Sequence, residues 1–287
     1  MSEVNEIHVT ATMGDIEASI GHAFIGFVIS LSLFGVSIAQ TAFYGYHFRR
    51  DGMFKKSSVV VLNIVDVLQT AVLADMFWEM LVDHNLPSAG SRVLNELPWQ
   101  IAVFIFTSIF MNCFVQGFFC QRVWRVSGGN VILLSIITTS SLMTLIVGIV
   151  GTTQSAVPPF RINLGPFVHM HFLTLILADG TISGSLIYHF NSSRLGMPRS
   201  EPVMRQLIWL SMNTGLMLCL VTTVNYYLAT NYSSASYLAP TFILSKLHLN
   251  SMMAALNTRR HFRAVFSRTM TDDINFTAAL ASRVATD

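Results

Sequence analysis

Seven stretches of the chain are almost continuously apolar: residues 20–44, 57–82, 98–120, 131–152, 164–190, 203–229 and 236–257. Short polar segments separate them. The apolar residues run on without alternation, which predicts helices rather than the strands of a membrane barrel. Each stretch reaches the ~20 residues a helix needs to cross a hydrocarbon core. The expected fold is all-α, an integral membrane bundle of seven transmembrane helices over 20–257. A tail over 1–19 precedes it and a segment over 258–287 follows. In that last segment Phe262, Val265 and Phe266 recur at i, i+3, i+4, which predicts a short amphipathic helix with a basic face over 259–268, suited to a membrane surface. A polar, disordered tail is expected over 270–287.

The polar residues that interrupt the apolar runs are the next signal. An ionisable group at the bilayer centre costs ~2.5–3.5 kcal/mol or more, so each needs a partner or a purpose. Helix 2 carries Asp66, Asp75 and Glu79; helix 5 carries His169, His171, Asp179 and His189; helix 7 carries Lys246 and His248. At ~1.5 Å per residue, Asp66, Asp179 and Lys246 all fall ~14–16 Å from the same membrane face and so share one layer. Helices 2 and 7 are commonly neighbours in a seven-helix ring, and Asp66–Lys246 is the preferred pair. Neutral polar residues form stripes at helical spacing that predict interior faces: Ser37 and Thr41; Ser108, Asn112 and Gln116; Asp179 and Ser183; and Lys246, Asn250 and Asn257 within a ~40° arc. The candidate intramembrane site is therefore Asp66, Asn112, Gln116, Asp179, Lys246 and Asn250. His169 and His171 are two residues apart, so on a helix their rings diverge by ~200° and make a poor metal site; a solvated interface role is expected for them. Small residues at Ser211 and Gly215, at Gly180 and Gly184, and at Gly148 and Gly151 predict close helix approach.

Composition agrees with this pattern. The chain is 52% hydrophobic and 11% charged over 287 residues, whereas a soluble domain carries roughly 25% charged residues. Charge adds direction. Of the 17 Lys and Arg residues, 14 fall at one set of helix ends, only Arg92 and Arg161 at the other, and Lys246 lies within a run. The bias predicts an extracellular N-terminus and a cytoplasmic C-terminus. The outer loops are too short for a folded ectodomain, and their sequon at Asn231 sits against the membrane. The N-terminal residues carry acids and no Lys or Arg, unlike a signal peptide. Cys113, Cys120 and Cys219 all lie in or beside apolar runs, so no extracellular disulfide is expected. No zinc-binding, phosphate-loop or nucleophile-elbow motif is present, so the chain is expected to be non-enzymatic and to need no metal or cofactor.

Several pieces together carry a resemblance. They are Gln40-Thr41 with Tyr44, Asp66, Gln116-Gly117-Phe118-Phe119 with Arg122-Val123-Trp124, Ala178-Asp179, and Asn213-Thr214-Gly215-Leu216. Lys246-Leu247-His248-Leu249-Asn250-Ser251 and Leu256-Asn257-Thr258-Arg259 complete the set. In this order they resemble the seven-transmembrane proteins of basidiomycete fungi grouped under a domain of unknown function, over about residues 21–260. The resemblance implies the topology and a membrane location, and it implies no activity.

Function stays open between classes. A receptor or sensor fits the topology, although no Asp-Arg-Tyr ends helix 3 and no Asn-Pro-x-x-Tyr ends helix 7. A transporter or channel would use the midplane polar residues, although no inverted repeat is evident. A retinal protein would use Lys246, but helix 3 offers no carboxylate. A structural, non-catalytic membrane protein is the remaining class. The expected partners are the lipid bilayer of the plasma membrane or an endomembrane, a small-molecule ligand, and an unspecified cytoplasmic protein; nucleic acid is not among them.

Overall fold

The computed structural model describes residues 13–82, 98–156, 165–196, 201–231 and 235–259, which form seven helices and no strand. The helices are α1 (Met13–His47), α2 (Met53–Val82), α3 (Trp99–Val126), α4 (Val131–Ala156), α5 (Gly165–Gly196), α6 (Glu201–Asn231) and α7 (238–259). A single 3₁₀ turn, Ala235–Tyr237, leads into α7. Residues 1–12 of the expected N-terminal tail, the segments carrying Arg92 and Arg161, the expected amphipathic helix beyond Arg259 and the polar tail all lie outside the described residues.

The helices overrun the apolar runs. α1 begins at Met13 rather than 20, and α3 continues to Val126 rather than 120. The apolar run ends where water begins, but the backbone gains nothing by leaving its hydrogen-bonded ladder there. Five helices are long and apolar enough to cross a membrane: Ile20–His47, Met53–Leu81, Trp99–Val126, Val131–Gln154 and Pro166–Ser192. Their outward faces are apolar. Ile25, Val60, Ile64, Val131, Ile132 and Leu173 are all more than half exposed, a surface that water would not tolerate at this density. The chain is thus built as a multi-pass integral membrane protein.

Consecutive helices pack as neighbours from α1 to α6, and α3 also reaches α5. α7 differs from the rest. No residue from 236 to 259 is exposed, so this helix runs inside the bundle rather than in its wall. Two apolar clusters enclose it. One gathers Phe27, Phe77, Ile101, Phe104 and Phe242. The other gathers Phe48, Val59, Val123, Leu249 and Leu256 at the end rich in Arg and Lys, hereafter the basic end. Between them α7 presents Ser245, Lys246 and His248, all buried.

Glycines set three close approaches; at Gly148 a Cβ would lie 2.8 Å from the Ile109 Cδ1, which brings α4 against α3. A Cβ on Gly26 would lie 2.5 Å from the Ala239 Cα, so α1 touches the backbone of α7 itself. A Cβ on Gly215 would lie 2.5 Å from the Ser183 Cβ, which brings α6 against α5. Gly180 and Gly184 serve no such contact, because a Cβ on either meets nothing within 4 Å. Gly spacing on a helix shows where approach is permitted, and only the neighbour's position decides where it occurs.

The turn between α3 and α4 is short and self-contained. Gly128 and Gly129 adopt φ 67 and 89, which L side chains rarely do, and they reverse the chain. Asn130 then accepts hydrogen bonds from the Ile132 and Leu133 amides at the start of α4.

Candidate functional site

Lys246 is fully engaged. Its Nζ donates to Asp66 Oδ1 at 2.5 Å, to Thr70 Oγ1 at 2.9 Å and to the Asp66 carbonyl at 3.1 Å. These use all three ammonium hydrogens. The second Asp66 oxygen accepts from Ser37 Oγ at 2.6 Å. Lysine and aspartate side chains are 1% and 0% exposed. Next to them Ser245 donates to Gln69 Oε1 at 2.9 Å, and Gln69 Nε2 reaches Ser108 at 3.1 Å. The polar layer therefore ties α1, α2, α3 and α7 with its principal groups paired, and Lys246 points into the bundle.

Asp179 does not join this pair. It lies on the opposite side of α7, where Oδ2 is 3.2 Å from His248 Nε2 and Oδ1 accepts from Gln116 Nε2 at 3.4 Å. The three charges expected in one layer thus divide: the preferred pair Asp66–Lys246 forms, and Asp179 pairs separately with His248. The reason is angular. Lys246 and His248 are two residues apart, so their side chains leave the helix ~200° from each other. His248 Nδ1 sits 2.9 Å from the Leu244 carbonyl, so that nitrogen carries a hydrogen. Histidine and aspartate are 3% and 4% exposed.

The asparagines divide as well. Asn250 does not enter either pair; it donates to the Leu33 carbonyl of α1 at 3.0 Å, and Asn257 does the same to Gln40 at 2.8 Å. The stripe through Lys246, Asn250 and Asn257 is a seam along α1 and α2. Asn112 is buried between α3 and α7 without bonding to Asp66, Asp179 or Lys246, and its Oδ1 has no partner. Gln116 Oε1 and Ser211 Oγ are likewise unpartnered.

These orphaned atoms face space. A cavity of about 80 Å³ is lined by Ser108, Asn112, Asn225, Thr241, Ser245 and His248. It adjoins a wider chamber of about 280 Å³ among α3, α4, α5, α6 and the start of α7, at the end opposite the basic one. His171, Phe172 and Thr241 line both. Past His248 a narrow gap of about 20 Å³ continues along Gln116, Asp179, Ser211 and Arg122. A solvated interface role does not describe His171, which is half-buried, lies 3.3 Å by Nδ1 from the Thr144 carbonyl and borders the chamber. His169 points away from it, to Tyr226 Oη at 2.9 Å.

Residues 175–261 match the Family of unknown function (DUF6534). No curated protein and no solved structure matches the chain. The DUF6534 segment takes in most of α5 with all of α6 and α7, and so it contains Asp179, Lys246, His248 and Asn250. Asp66, Asn112 and Gln116 lie before it. The matched segment thus holds both members of the Asp179–His248 pair but only the Lys246 half of the other, whose Asp66 comes from α2; Gln116 of α3 completes the contacts of Asp179.

At the basic end the last turn of α7 is held by Arg259. Its Nη2 donates to Asp51 Oδ2 at 2.7 Å, its Nε to the Leu256 carbonyl at 2.8 Å, and its guanidinium lies 4.8 Å from the Phe48 ring centroid. Tyr44 donates to the same Asp51 oxygen at 3.0 Å. Burial pushes the Asp51 carboxyl up, but the hydrogen bonds from Arg259 and Tyr44 and the charges of Arg259 and Lys55 outweigh it and hold the group below its usual range. Among the six candidate residues the structure pairs only Asp66 with Lys246 and Asp179 with Gln116. His248 and His171 are the additions, and the two-residue spacing from Lys246 is the signal that points to the first. The three cysteines are free.

Proposed function

We propose that the protein is a receptor-like sensor of seven spans, N-terminus outside and C-terminus cytoplasmic, that takes a small, largely apolar molecule with one hydrogen-bonding group. The observation that carries this reading is the run of cavities that narrows from about 280 to about 80 to about 20 Å³ and ends on α7 at His248. The chamber approaches the size of ligand pockets, is walled by Ile105, Ile109, Val147, Phe167 and Phe172, and offers His171 and Thr241 as polar groups. α7 carries the consequence. It holds the Asp179 pair facing the cavities, and its last turn is pinned to the α1–α2 turn through Asp51. A shift of α7 at one end is therefore felt at the other. The Asp66–Lys246 unit, closed and saturated, fits a packing role in this reading. The order of sequence motifs supports a place among the fungal seven-helix proteins, in the plasma membrane or an endomembrane. The protein acts without catalysis, through a cytoplasmic partner.

The test is a thermal-shift screen of the full-length protein in detergent against small apolar molecules bearing one hydrogen-bonding group. Stabilising compounds are expected, and His171→Leu should weaken their binding by tenfold or more, on the order of one charged or neutral hydrogen bond left unmade. A panel without stabilising compounds, or compounds indifferent to His171→Leu, overturns the reading.

Transport is the second reading, favoured by the gap beyond His248, where Gln116 Oε1 and Ser211 Oγ lack partners. Accumulation of a stabilising compound inside proteoliposomes would select it over sensing.

A further inference from the structure

α2 and α3 are tied together only along half their length. Away from the basic end, Gln100 donates to Glu79 at 3.0 Å and to Asp75 at 3.3 Å, and Gln69 donates to Ser108 and Thr107. Toward the basic end no such bond joins them among the described residues, and a groove of about 720 Å³ opens there. It follows α3 from Phe110 to Arg125, roughly 22 Å at 1.5 Å per residue. Its floor reaches Met252 and Leu256 of the buried α7, and its long wall is phenylalanine, Phe114 and Phe118. Gly117 lines it too, and a Cβ there would meet nothing within 4 Å.

The polarity of the groove is one-sided. Lys55, at the start of α2, and Arg125, at the end of α3, both line it at the basic end. Neither makes a salt bridge or side-chain hydrogen bond among the described residues. Asp51, the carboxylate of the α1–α2 turn, is already bonded to Arg259 and Tyr44. Two cations outside any direct salt bridge, Lys55 with only the longer-range charge of Asp51 acting on it, at the mouth of an apolar furrow on the lipid-facing side complement an amphiphile with an anionic head. We propose that this groove binds an anionic phospholipid of the leaflet at the basic end, with the phosphate between Lys55 and Arg125 and one acyl chain along Phe114 and Phe118 against α7. This site is separate from the chamber at the opposite end and does not depend on a ligand there. Its floor is α7, so occupancy bears on the same helix.

Native mass spectrometry of the full-length protein, released from mixed micelles holding equal phosphatidic acid and phosphatidylcholine, tests the proposal. Phosphatidic acid should be retained roughly ten- to thirty-fold over phosphatidylcholine, as two near-surface cations imply. Lys55→Gln with Arg125→Gln should bring the two lipids level. Gly117→Phe, placed where a side chain meets open space, should lower retention of both lipids while leaving the melting temperature near that of the parent. Equal retention of the two lipids by the parent protein overturns the proposal. So does a preference that survives both the double variant and Gly117→Phe, or a dimer that forms in place of lipid adducts and is lost with Gly117→Phe. A free fatty acid that displaces phosphatidic acid at equal concentration also overturns it, because the head would then be a carboxylate.

Discussion

Lys246 and His248 leave α7 on opposite sides, and each ends on a different aspartate: Asp66 at 2.5 Å and Asp179 at 3.2 Å. Two residues of spacing on one buried helix thus distribute two carboxylates to two faces of the bundle. Around Lys246 and Asp66 themselves the donors and acceptors match, although farther along the same seam Asn250 Oδ1, Asn257 Oδ1 and Gln40 Oε1 have no partner. On the α5 face the pair borders cavities and unpartnered amide and hydroxyl oxygens. The difference separates what holds α7 from what α7 can respond to.

The α2 face makes a prediction about coupling. Lys246→Met leaves the Asp66 carboxylate buried with Ser37 as its remaining side-chain partner, and should destabilise the protein by about 3–5 kcal/mol. Asp66→Asn should be damaging too, since it strands the ammonium. The double variant Asp66→Asn with Lys246→Met removes both charges and should recover most of the loss. Thermal unfolding of the four proteins in one detergent reads the interaction as a non-additive cycle. Simple addition of the two single effects would show that the groups do not act as a pair.

On the α5 face the two partners should be unequal. Asp179→Asn keeps an oxygen for Gln116 and a side chain of the same shape, so its cost should stay near 1 kcal/mol. His248→Leu leaves the carboxylate with only the 3.4 Å contact from Gln116 and should cost about 1–3 kcal/mol. The melting temperature of His248→Leu should therefore be the lower of the two. The reverse order would mean that the carboxylate is not held by the imidazole.

Close packing yields a sharp contrast along α1. A Cβ on Gly26 would press on the Ala239 backbone, which cannot rotate away, so Gly26→Ala should cost about 1–3 kcal/mol as α1 is forced off α7. Gly35→Ala meets open space and should be neutral or slightly stabilising, since alanine is the better helix former. Comparison of the two melting temperatures checks this, and equal losses would remove the claim that α1 touches the α7 backbone.

The helices are legible in the sequence because an apolar run long enough to cross a bilayer has few alternatives to helix. The approach of Lys246 to Asp66 is legible for a related reason. A charge deep in such a run must find another at its own depth, and rise per residue gives depth directly. The partner of Asp179 is not legible in this way. Depth alone offers it the same lysine, and only the direction of each side chain around α7 assigns His248 instead. Asn250 is read as a polar-site residue, and Asn257 as part of the same interior face, because a stripe shows that a face is buried. What they meet are backbone carbonyls of Leu33 and Gln40, groups that every residue carries and no pattern reveals. The groove beside Gly117 and the touch at Gly26 depend on the gaps between helices, which belong to the packed bundle and not to any one run.

The basic end gives a prediction in pH. Asp51 is held below the usual carboxylate range in the folded protein, so its bonds to Arg259 and Tyr44 contribute fully above the unfolded value of about 3.9. That contribution is lost as pH falls through the lower, folded value. The pair is partly exposed, with side chains 25% and 14% accessible, so its worth should be about 1 kcal/mol or less. Asp51→Asn should therefore lower the melting temperature slightly and by a constant amount at neutral pH, and the gap to the parent protein should close below about pH 4. Arg259→Gln should show the same closing gap, because it removes the other half of the same contact. Unfolding curves across an acid series, with Lys56→Gln as the comparison whose amine is bonded to the Arg49 carbonyl and not to Asp51, would measure it. A gap that persists unchanged into strong acid would mean that the Asp51 charge does not hold the last turn of α7.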